Sequence, residues 1–79
     1  MRLYELGFVA YDIPMECVDH LNRIVKEVDF SIAVVKFIPH GDFRGDVEVG
    51  VIDKSYSRSQ ETLSRLHNIT KLYQNLNHN

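Results

Sequence analysis

The chain has 79 residues, of which 44% are hydrophobic and 25% are charged, and its formal net charge is −2. Chains of this length hold one hydrophobic core, and a composition close to the globular average excludes intrinsic disorder. We therefore expect a single domain that spans residues 1–79.

The first predicted element is a strand from Leu3 to Tyr11. Alternate residues share one wholly apolar face of it: Tyr4, Leu6, Phe8 and Ala10. A period of two is typical of a strand that is buried on one side. The segment 12–14 is expected to end this strand and open a helix, because Asp12 is a good helix cap and Pro14 is tolerated in a first turn.

An amphipathic helix follows this junction. Its apolar residues recur at helical spacing: Cys17, Val18, Leu21, Ile24, Val25 and Val28. Polar and charged residues occupy the opposite face, so the pattern predicts a helix that packs one stripe onto a sheet.

The next two elements form a predicted hairpin. Residues 30–38 are rich in β-branched and aromatic side chains, the segment 39–45 has turn composition, and residues 46–52 form a second strand. The sequence does not decide which face of the strand at 30–38 is buried, because both faces are apolar apart from Ser31 and Lys36.

The last element is a long helix that ends near Asn77, with Ser57 and Gln60 as a predicted capping box. Its apolar residues follow a heptad-like spacing: Leu66, Ile69, Tyr73 and Leu76. The predicted fold class is therefore α+β, with the order βαββα. A right-handed crossover gives a mainly antiparallel, three-stranded sheet of order 1-3-2 with both helices on one face. This arrangement is ferredoxin-like without the fourth strand, an architectural analogy that carries no function.

Two surfaces of this fold are expected to need a partner. The final helix is longer than the strands, so Leu72, Tyr73 and Leu76 are expected in water unless another chain covers them or the helix end folds back. The outer side of the sheet is expected to be half apolar, with these residues on it: Leu3, Glu5, Gly7, Val9, Tyr11, Glu48, Gly50 and Ile52. The two glycines there indicate either close approach of a partner or bulges and local twist. A homodimer built on the first strand's edge, the outer sheet side or the final helix would cover these surfaces.

The tip of the hairpin is the most distinctive stretch of the sequence. We predict partner binding by four of its residues: His40, Asp42, Phe43 and Arg44. An aromatic ring and a guanidinium group are typical of interaction hot spots. Two alternatives are that Phe43 tucks under the sheet and that His40, Asp42 and Asp46 serve acid–base or metal chemistry.

Other chemistry has little support in the sequence. The four histidines, His20, His40, His67 and His78, lack the spacing of metal ligands, and we predict neither a metal nor a cofactor. Cys17 lies on the apolar stripe of the first helix, where cysteine behaves as a small core residue. It is the only cysteine, which excludes an internal disulfide.

The sequence also predicts where the protein is located in the cell and how charge is distributed along the chain. The residues after Met1 contain no apolar leader and no run is long enough to cross a bilayer, so we expect a cytoplasmic protein without membrane contact. Residues 1–53 carry a net charge of −5 and residues 54–79 carry +3. Arg58 and Arg65 lie near one another on the final helix, which leaves nucleic-acid binding as an alternative.

These observations predict a small non-enzymatic protein-binding module that regulates or inhibits a larger protein, as a homodimer. The first alternative is a nucleic-acid-binding regulator that uses the final helix and the hairpin tip. The second is a small-ligand or catalytic oligomer with sites between subunits.

Overall fold

A three-stranded antiparallel sheet carries two helices in the computed structural model, which describes residues 2–76. The elements in chain order are β1 (Tyr4–Pro14), α1 (Met15–Glu27), β2 (Ile32–Pro39), β3 (Arg44–Asp53) and α2 (Tyr56–Leu76). The sheet order is β1-β3-β2, with both pairings antiparallel. The predicted α+β class, the βαββα order and the sheet order 1-3-2 are confirmed.

The core lies between one face of the sheet and the two helices. The central strand contributes Val47, Val49 and Val51, which are buried against Leu21 of α1 and Leu66 of α2. Burying such side chains contributes about 1.5–3 kcal/mol each, which makes this layer the main source of stability.

The structure also shows which face of β2 is buried. Ala33, Val35 and Phe37 face the helices and are partly buried, whereas Val34 and Lys36 are exposed on the other side of the sheet. The apolar residues at the exposed positions of β2 are therefore not core residues.

The junction between β1 and α1 differs from the prediction. The strand does not end at Tyr11 but continues to Pro14 through a bulge between Ala10 and Ile13. Asp12 lies in this bulge with a φ of 54°, in the left-handed region. It does not cap α1, which begins after Pro14 without a side-chain cap. The prediction was wrong because Arg44, at the start of β3, binds the Asp12 carboxylate.

The start of α2 also differs from the predicted capping box at Ser57 and Gln60. The helix begins at Tyr56, and the Ser55 hydroxyl accepts the Arg58 backbone N–H at 3.3 Å. Asp53 Oδ1 accepts the Ser55 N–H at 2.8 Å. The cap thus lies two residues before the predicted one, because the Asp53 side chain holds Ser55 in place.

The far end of α2 is only partly as expected. Leu72 and Leu76 are exposed, as predicted, but Tyr73 is half-buried and packs against the core. Its hydroxyl lies 3.4 Å from Nδ1 of His20 on α1. The expectation that Tyr73 lies in water was wrong, because α1 runs beside α2 at this point. The predicted helix end at Asn77 and the histidine at position 78 lie outside the described residues.

Neither helix of the described chain is long and apolar enough to cross a membrane.

Candidate functional site

The side of the sheet opposite the helices is an open apolar surface, which we call the outer face. Six large apolar side chains are exposed on it: Leu3, Val9, Tyr11, Ile32, Val34 and Ile38. Ile52 of β3 lies among them and is partly buried. Exposed apolar side chains that gather on one face are a feature of interaction sites, whereas singly scattered ones are normal.

The strand register arranges the outer face in three rows that run across the sheet. Glu5, Ile52 and Ile32 form the first row, Gly7, Gly50 and Val34 form the second, and Val9, Glu48 and Lys36 form the third. The second row has side chains only at Val34, so a shallow depression crosses the sheet beside it.

The three rows hold three charged side chains, Glu5, Glu48 and Lys36, and Asp46 lies opposite Ile38 at the hairpin end of the same face. Lys36 Nζ lies 3.8 Å from Glu48 Oε2, and both side chains are exposed. Exposed pairs of this kind contribute at most about 1 kcal/mol. Glu5 leaves the three rows with a net charge of −1, which does not attract a strongly acidic partner such as nucleic acid.

The two glycines of the second row have different structural roles. A Cβ at Gly7 would lie 2.7 Å from the backbone oxygen of Val49, so the approach of β3 requires glycine there. A Cβ at Gly50 would meet nothing within 4 Å. The bulge of β1 lies elsewhere, so neither glycine marks a bulge.

The hairpin loop at one end of the sheet is tied to β1. Arg44 Nε donates to Asp12 Oδ1 and Nη2 donates to the Asp12 backbone oxygen, each at 2.6 Å. Asp46 Oδ1 accepts the Asp12 N–H at 3.1 Å. These bonds compensate for the left-handed backbone of Asp12 and tie the end of the loop, where β3 begins, to β1.

Of the four predicted tip residues, Phe43 is the one most available to a partner. Its side chain is 76% exposed, which overturns the alternative that it tucks under the sheet. Asp42 is exposed as well, whereas Arg44 is engaged by Asp12. His40 Nε2 lies 2.8 Å from Asp46 Oδ2.

The His40–Asp46 pair explains the electrostatics of the loop. The hydrogen bond from His40 lowers the pKa of Asp46, and the backbone N–H of Asp12 lowers it further. The pair is exposed and is not joined by Asp42. This hydrogen bond therefore stabilises the loop conformation. Among residues 2–76, no third acid or base lies beside the His40–Asp46 pair to form a catalytic group.

An open cavity of about 210 Å³ lies between the α1–β2 connection and α2. Its lining carries three carboxylates and two guanidinium groups, so it offers no excess positive charge. Arg58 Nη2 lies 3.1 Å from Asp53 Oδ1 and Arg65 Nη2 lies 3.5 Å from Glu27 Oε2. The Arg58 guanidinium also stacks 5.2 Å from the centre of the exposed Phe30 ring. Both guanidinium groups of this cavity are therefore already paired with a carboxylate.

The Asp53 side chain connects several segments of the chain at this end of the molecule. Its side chain is 1% exposed and accepts hydrogen bonds from Arg58, from the Ser31 hydroxyl at 2.7 Å and from the Ser55 N–H. These donors, with Arg58 first, hold its pKa well below the usual range. The arrangement joins the start of α2 to the strand ends, which is a structural role.

The single thiol is equally structural. Cys17 is fully buried, and burial raises its pKa to about 11. A nucleophilic cysteine needs an accessible thiolate, and this thiol stays protonated at neutral pH.

No group of three or more histidine, cysteine or carboxylate side chains is placed to hold a metal ion within residues 2–76.

Sequence reasoning missed Ile32, Val34 and Ile38 as part of the outer face. A signal was present: pairing Lys36 opposite Glu48 places both charges on one face and fixes the phase of β2.

Comparison with models of protein families, with curated proteins and with solved structures finds no match to this chain.

Proposed function

We propose that the chain is a non-enzymatic protein-binding module that regulates or inhibits a larger protein, and that the outer face is its working surface. The observation that carries the proposal is the exposure of six large apolar side chains on that face. Leaving such residues in water gains no stability for the fold, whereas covering them on binding gains about 25 cal/mol per Å² of apolar surface.

The hairpin loop adds to this surface. It begins beside Ile38 at the edge of the outer face, and Phe43 projects from it into solvent. Because Arg44 and Asp46 fix the base of the loop on Asp12, less order has to be imposed on it when a partner binds.

Nucleic-acid binding has weaker support. Arg58 and Arg65 of α2 each lie against a carboxylate, from Asp53 and Glu27 respectively. Binding phosphate there would require breaking those pairs, and the outer face carries no net positive charge to compensate.

Site-specific photo-cross-linking in cells that express the chain tests the proposal. A photoreactive amino acid replaces Val34, which is 56% exposed on the outer face, and in a matched control it replaces Leu72, which is 59% exposed on α2. We expect a discrete cross-linked product from position 34 and none from position 72. The mass of the product separates a different protein from a second 9.2 kDa chain.

Two outcomes contradict the proposal. If neither position 34 nor position 72 gives a cross-linked product, the outer face is not a binding surface. A product from position 72 alone would move the working surface to the exposed leucines of α2.

A further inference from the structure

The two outer strands of the sheet differ in how regular their free edges are. β1 and β2 flank β3, so each has one edge without a neighbouring strand within residues 2–76. A free edge presents unpaired backbone N–H and C=O groups, which a further strand can bind. β1 is interrupted by the bulge after Ala10 and by the left-handed residue Asp12. β2 pairs with β3 in unbroken register from Ile32 to Pro39, so its free edge is regular over its whole length.

A backbone hydrogen bond at the hairpin shows which groups of β2 point away from the sheet. The His40 N–H donates to the Arg44 oxygen at 2.8 Å, and this pair continues the register of the two strands. Successive residues of a strand point their backbone groups to opposite edges. Even-numbered residues of β2 therefore face β3. The residues whose N–H and C=O groups point outward are Ala33, Val35 and Phe37.

Pro39 agrees with this assignment. It occupies the next outward-directed position, and proline occurs in edge strands where its missing N–H would face solvent. The free edge of β2 thus offers three consecutive outward positions with both a donor and an acceptor, and it ends at a residue that has only an acceptor.

The free edge of β2 is complementary to itself when the pairing is centred on Val35. Opposite residues of an antiparallel pair must point their backbone groups at each other, so the two-fold axis has to pass through a residue and not between two residues. Centred on Val35, the pairing sets this residue opposite the partner's Val35 and Ala33 opposite the partner's Phe37. Every outward N–H of the three residues then meets a C=O group of the second copy, and the contact is symmetric.

Neighbouring registers are less favourable. A register centred on Lys36 sets two ammonium groups opposite each other, and like charges at opposite positions destabilise a sheet. It also includes Pro39 of each copy, which has no N–H to donate. A register centred on Val34 reaches Ser31, which lies before the first residue of β2. The longest ladder without a repulsive pair is therefore the one centred on Val35.

The side chains on the outer side of the sheet are compatible with this register. Ile32 lies opposite the partner's Ile38, and Lys36 lies opposite the partner's Val34. Lys36 Nζ stays 3.8 Å from Glu48 Oε2 of its own chain, so its charge remains balanced. A second copy therefore brings no unpaired charge to the edge.

The first helix presents a nearly uncharged flank toward the same edge. His20 and Glu27 of α1 contact α2. At 100° per residue, Asn22 and Lys26 lie on the opposite flank, which turns away from α2. Antiparallel pairing of two copies sets the Lys26 groups at opposite ends of this contact, so they do not repel each other.

We infer that β2 pairs antiparallel with β2 of a second copy of this chain, about a two-fold axis at Val35. The two three-stranded sheets then form one continuous sheet of six strands. Both outer faces lie on the same side of it and stay open, so this inference goes beyond the proposed function and leaves its surface to the larger protein.

Sedimentation equilibrium of the intact chain, from micromolar to millimolar concentration, tests the inference. We expect a monomer–dimer equilibrium that Ala33→Pro weakens about tenfold or more, because it removes two hydrogen bonds of the symmetric ladder. The fold of the monomer should persist, because the Ala33 N–H points away from β3. Val9→Pro makes the same change at an outward-directed position of β1, and it should leave the dimer unchanged.

Hydrogen exchange of single amides, followed by NMR, tests the ladder directly. The amides of Ala33, Val35 and Phe37 should exchange about tenfold or more slowly at dimer concentration than in the dilute monomer. The amides of Val34 and Lys36, which point toward β3 in the monomer, should change far less.

A pair of charge variants tests the register. Val34 is 56% exposed, so neither charge disturbs the core of the monomer. Val34→Lys sets a like charge opposite the partner's Lys36 and should weaken the dimer, whereas Val34→Glu sets an opposite charge there and should maintain or strengthen it. If Ala33→Pro proves unfolded by circular dichroism, this pair decides in its place.

Four results would overturn the inference. They are a monomer at every concentration, a dimer that tolerates Ala33→Pro, a dimer that dissociates on Val9→Pro, and a dimer that both charges at position 34 weaken equally. A strand of a larger protein on the same edge would give the first result, with the three outward amides protected only in its complex. A cross-link from position 34 to a different protein would support the proposed function whatever the oligomeric state, so the two failures are distinguishable.

Discussion

Adding one methyl group to either glycine of the pair Gly7 and Gly50 should change the stability of the fold in opposite directions. These residues lie opposite each other on adjacent strands, but an added side chain would meet the backbone of Val49 at Gly7 and nothing at Gly50. Replacing a glycine in a strand by alanine stabilises the fold by about 0.5–1 kcal/mol when the site has room. Gly50→Ala should show this gain, because its Cβ meets nothing within 4 Å.

Gly7→Ala should instead destabilise the fold. Its Cβ would lie 2.7 Å from the Val49 backbone oxygen, and reaching an ordinary contact requires the strands to separate by about 0.7 Å. Overpacking of this kind costs about 1–3 kcal/mol, and contact with backbone rather than a flexible side chain favours the upper half of that range. The glycine-to-alanine gain is common to both positions and cancels, so the two variants should differ by about 2–3 kcal/mol.

Urea unfolding followed by circular dichroism measures this difference. For a domain of this size the free energy of unfolding falls by about 1 kcal/mol per molar urea, so the two midpoints should differ by about 2 M or more. The samples must be dilute enough to be monomeric, because association would add to the measured stability. Equal midpoints, or a lower midpoint for Gly50→Ala, would refute the view that the two glycines have different roles.

Three further predictions concern the core, the acid limit and the thiol. Leu66→Ala should lose about 2–5 kcal/mol of unfolding free energy in urea, because Leu66 is fully buried, whereas exposed Leu72→Ala should stay within about 0.5 kcal/mol. Because the pKa of Asp53 is lowered in the folded state, its carboxylate contributes full stability above the ordinary pKa of 3.8, and this contribution is lost as pH falls below 3.8. Asp53→Asn should therefore make the free energy of unfolding depend less on pH in acid. A wild-type curve that is flat in acid would contradict this. Cys17 has a pKa raised to about 11, so it should react with thiol reagents at neutral pH only after urea unfolding. The stability that the neutral thiol contributes to the fold should decline as pH rises from 9 towards 11. Rapid labelling of the native protein would contradict its burial.

The order of the elements was predictable because each has a simple period. Alternation in β1 and β3 and the apolar stripe of α1 identify the strands and the first helix, and the handedness of the crossover then gives the sheet order. The phase of β2 was not predictable from its own residues, because apolar side chains occupy both faces. Pairing with β3 decides it, and that information lies in another strand.

Two of the errors, at Asp12 and Tyr73, share one physical cause, which is contact between residues far apart in the chain. Asp12 resembles a helix cap locally, but its partners Arg44 and Asp46 are 32 and 34 residues away. Tyr73 resembles an exposed residue of a long helix, but it meets His20 across 53 residues. Local sequence patterns contain no record of these contacts.

The position of β1 has a consequence for how the chain folds during translation. β2 and β3 are neighbours in sequence and pair as soon as both have left the ribosome, but Tyr4 pairs with Asp53, which is made 49 residues later. At about 5–20 residues per second, the N-terminal strand waits roughly 2–10 s for its partner. During that time its inward side chains, Leu6 and Phe8 among them, have no sheet to join. Completing the sheet therefore has to wait for the synthesis of β3, and the nascent chain exposes these apolar side chains until then.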